Sequence, residues 1–114
     1  MLGVGAALIA MAGASLVWGG FNEATPHGRL LAVLQQVGEA QETHWISERR
    51  FADRLAPLGI EPPAALDVQI TRGDAREWEA LAFDAEVGLG CRQGGGVSED
   101  GRPHRNEPVC FAHR

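Results

Sequence analysis

Two cysteines, four histidines and a few acidic side chains are the residues of this chain best suited to chemistry. Cys91 and Cys110 are its two cysteines, and they form no Cys-x-x-Cys pair and no Cys/His cluster with zinc spacing. Asp84, Glu86 and Ser98 lie near them, but no Ser/His/Asp order or acid pair has a context that would form a pocket. We therefore predict no catalytic residue, no metal site and no cofactor, and we expect a protein that is not an enzyme.

The four histidines also give no reason to predict a catalytic or metal site. His27 follows an apolar N-terminal segment, where a neutral imidazole could ligate a haem or a pigment. We favour the simpler hypothesis that His27 is a polar residue at a membrane interface. His44 lies beside Trp45 and should be partly exposed, while His104 belongs with His113 to a polar C-terminal region.

The two cysteines enclose a glycine-rich stretch in the last quarter of the chain. Such a pair beyond a membrane segment predicts one disulfide in an oxidising compartment, with two unrelated buried thiols as the alternative. Closing this loop would stabilise a small domain by about 3 kcal/mol.

The first 21 residues contain no charged side chain. Twenty helical residues span about 30 Å, which is the thickness of one hydrocarbon layer. Trp18 and Phe21 lie at the far end of this segment, where aromatic rings favour the headgroup region. A cleaved signal peptide is the alternative, but a positively charged start is missing and the apolar run is longer than usual. We predict a transmembrane anchor over residues 1–21 and a juxtamembrane linker over 22–29.

Small residues recur at four-residue spacing along one side of the predicted anchor. Such a face lets helices approach closely, and packing holds helices together in lipid. We therefore expect integral membrane protein subunits and the lipid bilayer as partners. The predicted disulfide orients the chain with its N-terminus in the cytoplasm and its body in the periplasm of a bacterial inner membrane. The small residues are Gly3, Ala6, Ala7, Ala10, Gly13 and Ala14.

Composition limits the other functions. The chain of 114 residues has room for one small domain and an anchor. Its 15 acidic residues outnumber its ten arginines, there is no lysine, and the net charge is −5. Because phosphate contact needs concentrated positive charge, we expect no nucleic-acid partner. A single helix on a thin sheet also offers little concavity for a small-molecule substrate.

The rest of the chain has the pattern of an α+β domain over residues 30–114. From Pro26, with Thr25 as the predicted N-cap, apolar residues at three- and four-residue spacing predict one amphipathic helix of about twenty residues. Two alternating runs then predict two strands joined by a turn at residues 72–75. Short strands are predicted at 87–93 and 107–113, with a polar loop over 93–106 between them. Packing the helix on this antiparallel sheet of three or four strands would bury both apolar faces. The inward strand residues are Leu66, Val68 and Ile70, then Trp78, Ala80 and Ala82.

Several short motifs follow one another between Leu30 and Cys110. Ala-Gln-Glu and an aromatic residue in the helix precede a Leu-Gly loop, a strand, a Gly/Asp turn with Trp, a second strand and the cysteines. This order resembles the globular part of type IV pilins and pseudopilins. The resemblance implies a pilin-like helix on an antiparallel sheet behind a membrane helix. The matching positions are Ala40, Gln41, Glu42, Trp45, Phe51, Leu55, Leu58, Gly59, Val68, Ile70, Trp78, Ala80, Ala82, Cys91 and Cys110.

The N-terminal segment departs from that family. Pilins have a basic leader and a Phe-Thr-Leu-Ile-Glu start, whose glutamate neutralises a neighbouring subunit's amine during assembly. Here Gly5 occupies the fifth position, and the first acidic residue is Glu23. We expect an accessory or structural subunit of a larger integral membrane complex, with photosynthetic or respiratory complexes as possible hosts. A divergent minor pilin or secretion pseudopilin is the first alternative, and a secreted binding domain with a cleaved signal is the second.

Overall fold

A computed structural model describes residues 24–112, in which one long helix covers one face of an antiparallel sheet. The predicted anchor over 1–21 lies outside these residues, as do its small-residue face from Gly3 to Ala14 and the interfacial residues Trp18 and Phe21. Among the helices that residues 24–112 form, none combines the length and the apolar character that a membrane span requires.

The helix, α1, runs over Pro26–Glu48 and confirms the amphipathic helix predicted from the sequence. Thr25 is its N-cap, and the Thr25 hydroxyl accepts a hydrogen bond of 3.0 Å from the Gly28 amide. Pro26 suits the first turn because it lacks an N–H that would otherwise need a partner. The helix ends where Arg49 adopts the left-handed conformation (φ 59°). Residues 26–29 of the predicted linker are therefore the first turn of α1.

The sheet contains five strands within the described residues, and a short 3₁₀ helix at Ala56–Leu58 precedes them. The strands are β1 (Asp67–Gly73), β2 (Glu77–Asp84), β3 (Leu89–Val97), β4 (Pro103–Arg105) and β5 (Val109–Ala112). The first three form an antiparallel meander. Both β4 and β5 pair with β3: β4 pairs with its second half, and β5 pairs with its first half.

The polar loop predicted over 93–106 is wrong, because β3 continues to Val97 and the chain returns at once as β4. Glycine is disfavoured in strands, and three consecutive glycines therefore predicted a loop. Here close packing requires a glycine at Gly95. A Cβ on this residue would overlap the carbonyl oxygen of His104 and press on the indole of Trp78.

The core lies between α1 and the sheet face that it covers. One stripe of the helix is buried against alternate residues of β1, β2 and β3, as the sequence predicted. The burial of this apolar area is the main term that stabilises a domain of this size. The core includes Leu30, Val33, Leu34, Val37, Trp45, Phe51, Leu66, Val68, Trp78, Ala80, Ala82 and Cys91.

One core position is polar. Gln41 is fully buried, and its side-chain amide forms two hydrogen bonds with the backbone of Ala52. Nε2 donates to the Ala52 carbonyl at 2.9 Å, and Oε1 accepts from the Ala52 N–H at 2.8 Å. Gly73 of β1 lets this segment approach, since a Cβ there would overlap the backbone of Ala52. Gln41 thus fixes the path of the chain where it leaves the helix.

The turn between β1 and β2 is organised by Asp74. Its carboxylate accepts hydrogen bonds from the backbone N–H groups of Arg76 (2.8 Å) and Glu77 (2.9 Å) and from the Arg72 side chain (3.0 Å). The backbone hydrogen bond from Arg76, then that from Glu77, and then the Arg72 side chain lower the pKa of Asp74 to about 2. Asp74 therefore begins the turn, which the sequence predicted over 72–75 and which follows the end of β1 at Gly73.

We expect acid to remove this contribution within a defined pH range. The pKa of Asp74 falls from 3.8 to about 2 on folding, so its stabilising effect is complete above the unfolded value. It is lost as the pH falls through the folded value. Asp74→Asn should therefore lower the free energy of unfolding at pH 7, and the difference from the wild type should shrink between pH 3.8 and pH 2. Urea unfolding at a series of pH values measures this. A difference that is constant over that range would contradict the assignment.

Candidate binding surface and the histidine–disulfide cluster

The sheet face opposite α1 carries a shallow groove of about 550 Å³. Its floor is the glycine run of β3, because Gly94 and Gly96 project no side chain on this face. Charged side chains of both signs stand around it. The groove is lined mainly by Arg72, Arg76, Glu77, Glu79, Arg92 and His104.

Part of the charge at this groove has partners within the domain. Arg72 contacts Asp74 at 3.0 Å and Glu77 at 2.7 Å, and the Thr71 hydroxyl donates to the Glu79 carboxylate at 2.9 Å. Within residues 24–112, no carboxylate lies within 4 Å of the guanidinium of Arg92. Such an open and mixed-charge surface suits contact with another macromolecule better than enclosure of a small substrate.

Two exposed residues, Ser98 and His104, lie close together at this end of the groove. Ser98 Oγ lies 3.1 Å from His104 Nδ1 at the β3–β4 hairpin. In the described part of the chain, no ion pair or hydrogen bond joins a carboxylate to this imidazole. His104 was predicted to lie in a polar tail, but it belongs to β4.

At the other end of the same sheet face, the side chains are apolar. Phe83 of β2 and Phe111 of β5 meet across Gly90 of β3, with ring centroids 6.3 Å apart and planes at 72°. A Cβ on Gly90 would lie 2.8 Å from an atom of each ring, so glycine permits the contact. Val87, in the turn between β2 and β3, is 52% exposed nearby. The open face therefore changes from charged to apolar along the strands.

A smaller concavity of about 370 Å³ lies between α1 and the connection from β4 to β5. Arg105 lies beside it and forms an ion pair with Glu42 of the helix at 2.9 Å. Gly38 makes room for this arginine, because a Cβ there would overlap its side chain. The pair joins the helix to the edge of the sheet.

Asp84, which the sequence placed near Glu86 as a possible acid, has a structural role. Its side chain is almost completely buried and lies 3.6 Å from the Arg29 guanidinium in the first turn of α1. It also accepts a hydrogen bond of 3.1 Å from the Glu86 backbone N–H. These contacts place the start of the helix beside the turn between β2 and β3.

The disulfide predicted from the sequence is confirmed. Cys91 and Cys110 are bonded (S–S 2.06 Å) and lie directly opposite each other in β3 and β5. Cys91 is fully buried under the helix, and Cys110 is partly exposed. The bond thus fastens the C-terminal strand to the centre of the sheet.

His27 lies next to this disulfide. It is an exposed residue in the first turn of α1, and one of its ring nitrogens lies within 4.8 Å of both sulfur atoms. The sequence predicted no Cys/His cluster because His27 and Cys91 are 64 positions apart in the chain. Only the fold brings them together. His44 is partly buried on the other end of the helix and takes no part.

These features define a small α+β domain, closed by a disulfide, with a mixed open face and a histidine–disulfide cluster at the start of its helix. The chain matches no protein-family model and no curated protein sequence.

Proposed function

We propose that this protein is a non-enzymatic accessory subunit of a larger integral membrane complex. Residues 1–21 form its single transmembrane anchor, and residues 30–114 form a pilin-like domain on the periplasmic face of a bacterial inner membrane. The observation that supports this best is the position of the apolar end of the open face. This apolar end lies at the same end of the domain as the start of α1 at Pro26. Only residues 22–25 separate Pro26 from the uncharged segment 1–21.

Contacts at that end hold the first turn of α1 close to the apolar side chains of the open face. Arg29 and Asp84 join the first helical turn to the end of β2, and Phe83 and Phe111 lie on the open face at this level. An anchor that enters the helix at Pro26 would hold these aromatic rings and Val87 near the lipid surface. Aromatic and aliphatic side chains favour that region, whereas the charged groove would face water or a partner subunit.

The small-residue face of the anchor supplies the contact with the host complex. Helices in lipid associate by close packing, so adding bulk to this face should separate the subunit from its partners. Photosynthetic and respiratory complexes are candidate hosts. The groove beside Arg92 offers a second contact with the host, on the periplasmic side.

A divergent minor pilin or type II secretion pseudopilin is the second candidate. One helix on an antiparallel meander with a C-terminal disulfide supports this candidate, since the sequence order already resembled that family. Filament packing in that family uses an early glutamate, and residues 1–22 of this chain offer no carboxylate for this role.

We expect Ala10→Leu to detach the protein from its complex while the domain stays folded. The test is extraction of native membranes in mild detergent, then native separation and mass spectrometry of the band that contains the protein. Co-migration with a large integral complex at fixed stoichiometry is the expected result for the wild type. For Ala10→Leu, we expect the amount of protein that migrates with the complex to fall about tenfold. This decrease corresponds to roughly 1.4 kcal/mol of packing energy.

Ala12→Leu is the matched control, because it makes the same change on the side of the proposed helix opposite the small-residue face and should leave the complex intact. Co-migration with pilus or secretion components would favour the second candidate. An intact mass that shows loss of the N-terminal segment would support a secreted domain instead. Unchanged co-purification of Ala10→Leu would contradict packing through this helix face.

A further inference from the structure

The cluster of His27, Cys91 and Cys110 has the composition of a metal site. Neutral imidazole and two thiolates are ligands that thiophilic ions prefer, and the three ligand atoms lie within 4.8 Å of one another. We propose that reduction of the Cys91–Cys110 disulfide converts this cluster into a binding site for a thiophilic metal ion of the Zn²⁺ class.

The distances fit such an ion. Zinc binds sulfur at about 2.3 Å and nitrogen at about 2.0 Å, so two ligand atoms on one tetrahedral ion lie about 3.5–3.8 Å apart. In the disulfide form the two sulfurs are bonded to each other, and both are within 4.8 Å of the His27 nitrogen. Breaking the S–S bond lets the sulfurs separate by side-chain rotation, and a shift of about 1 Å then brings all three atoms to ligand distance.

The fold brings the three residues together. Cys91 and Cys110 face each other because β3 and β5 are paired from Leu89 to Arg92. His27 is fixed by the capped first turn of α1. The ligands therefore come from three elements that the fold already brings together, and little ordering is required when the ion binds.

The chemistry balances with one added co-reactant, a two-electron reductant. A dithiol or phosphine reductant supplies two electrons, the S–S bond breaks, and two thiols form as the reductant is oxidised. The metal ion then displaces the two thiol protons, and two thiolates neutralise its double charge. Because His27 is exposed, solvent water can occupy the fourth position of a tetrahedral ion.

The bound ion would restore the crosslink that reduction removes. In the oxidised state the covalent bond joins β3 to β5, and in the reduced state a Cys91–metal–Cys110 bridge would do so, with His27 joining the helix to both strands. The domain would thus stay closed at this end in either redox state.

The test uses the full chain in detergent, reduced with a phosphine that is then removed. We expect one Zn²⁺ per chain in competition with a chromophoric chelator, and thiolate-to-metal absorption when Co²⁺ replaces Zn²⁺. The oxidised protein should not bind at this affinity. His27→Gln should weaken Zn²⁺ binding to the reduced chain by about 100-fold. Loss of a residue that only hydrogen-bonds to a metal ligand already costs about 10–100-fold in affinity, and His27 would be a ligand itself.

His44→Gln is the matched control and should bind Zn²⁺ as the wild type does. Circular dichroism shows whether the reduced chain stays folded without metal. If it unfolds, we expect Zn²⁺ to restore the helical signal of the wild type but not of His27→Gln at the same concentration. Reduced protein that takes up no Zn²⁺, or His27→Gln that binds as tightly as the wild type, would overturn the proposal.

Discussion

Cys110→Ser should lower the free energy of unfolding by about 3 kcal/mol. The disulfide joins residues 19 positions apart, and cutting it releases a loop of that length in the unfolded chain. The bond also fastens β5, a strand of four residues, to the centre of the sheet. For a domain of this size the melting temperature should fall by roughly 10–25 °C.

Thermal unfolding of the wild type with and without reductant provides the control. Reduction in the presence of a metal chelator should lower the wild-type melting temperature by about as much as the substitution does, whereas reductant should not change the Cys110→Ser variant. Cys110 is the better position to replace, because Cys91 is fully buried and a serine hydroxyl there would add its own cost. Equal melting temperatures for the variant and the oxidised wild type would show that the bond contributes nothing to stability.

Gln41→Leu should destabilise the domain by about 2–4 kcal/mol, although leucine is the more apolar residue. The substitution keeps the core filled but leaves both the N–H and the carbonyl of Ala52 buried without their hydrogen bonds. Each such group costs about 1–3 kcal/mol, and the apolar gain of leucine offsets part of the sum.

Gln36→Leu is the matched control for this substitution. Gln36 is on the same helix but exposed, so the same change there should alter the free energy of unfolding by no more than about 0.5 kcal/mol. Urea unfolding gives both values. Hydrogen exchange at the Ala52 amide should accelerate in Gln41→Leu and stay slow in Gln36→Leu. A Gln41→Leu variant as stable as the wild type would remove the role we assign to this side chain.

Local patterns predicted the helix and the first two strands. Thr25, Pro26 and the apolar spacing mark the start and the buried face of α1, and alternation marks β1 and β2. These signals depend on residues near in sequence, so they can be recognised without a structure. The continuation of β3 through Gly94–Gly96 could not be predicted, because its cause is a close approach to Trp78 and His104 that only the folded sheet creates.

The candidate site was predicted in part. The disulfide followed from the count and position of the cysteines, and the fold confirms it. The approach of His27 to the two sulfurs depends on how the helix crosses the sheet, which no sequence spacing encodes. In the sequence, Gln41 stands out only as part of the Ala-Gln-Glu motif, and its bonds to Ala52 depend on a loop whose path was not predictable. Tertiary contacts between distant residues set both features.

The order of the elements along the chain has a consequence for synthesis. The helix Pro26–Glu48 is made first, and the strands that cover its apolar stripe follow, with β3 complete at Val97. A ribosome adds about 5–20 residues per second, so about 50 residues of delay leave the stripe uncovered for about 3–10 s. Each nascent chain therefore exposes the apolar residues of this stripe for seconds before its own sheet exists. We expect this stripe to be the part of the chain most prone to aggregation during that interval.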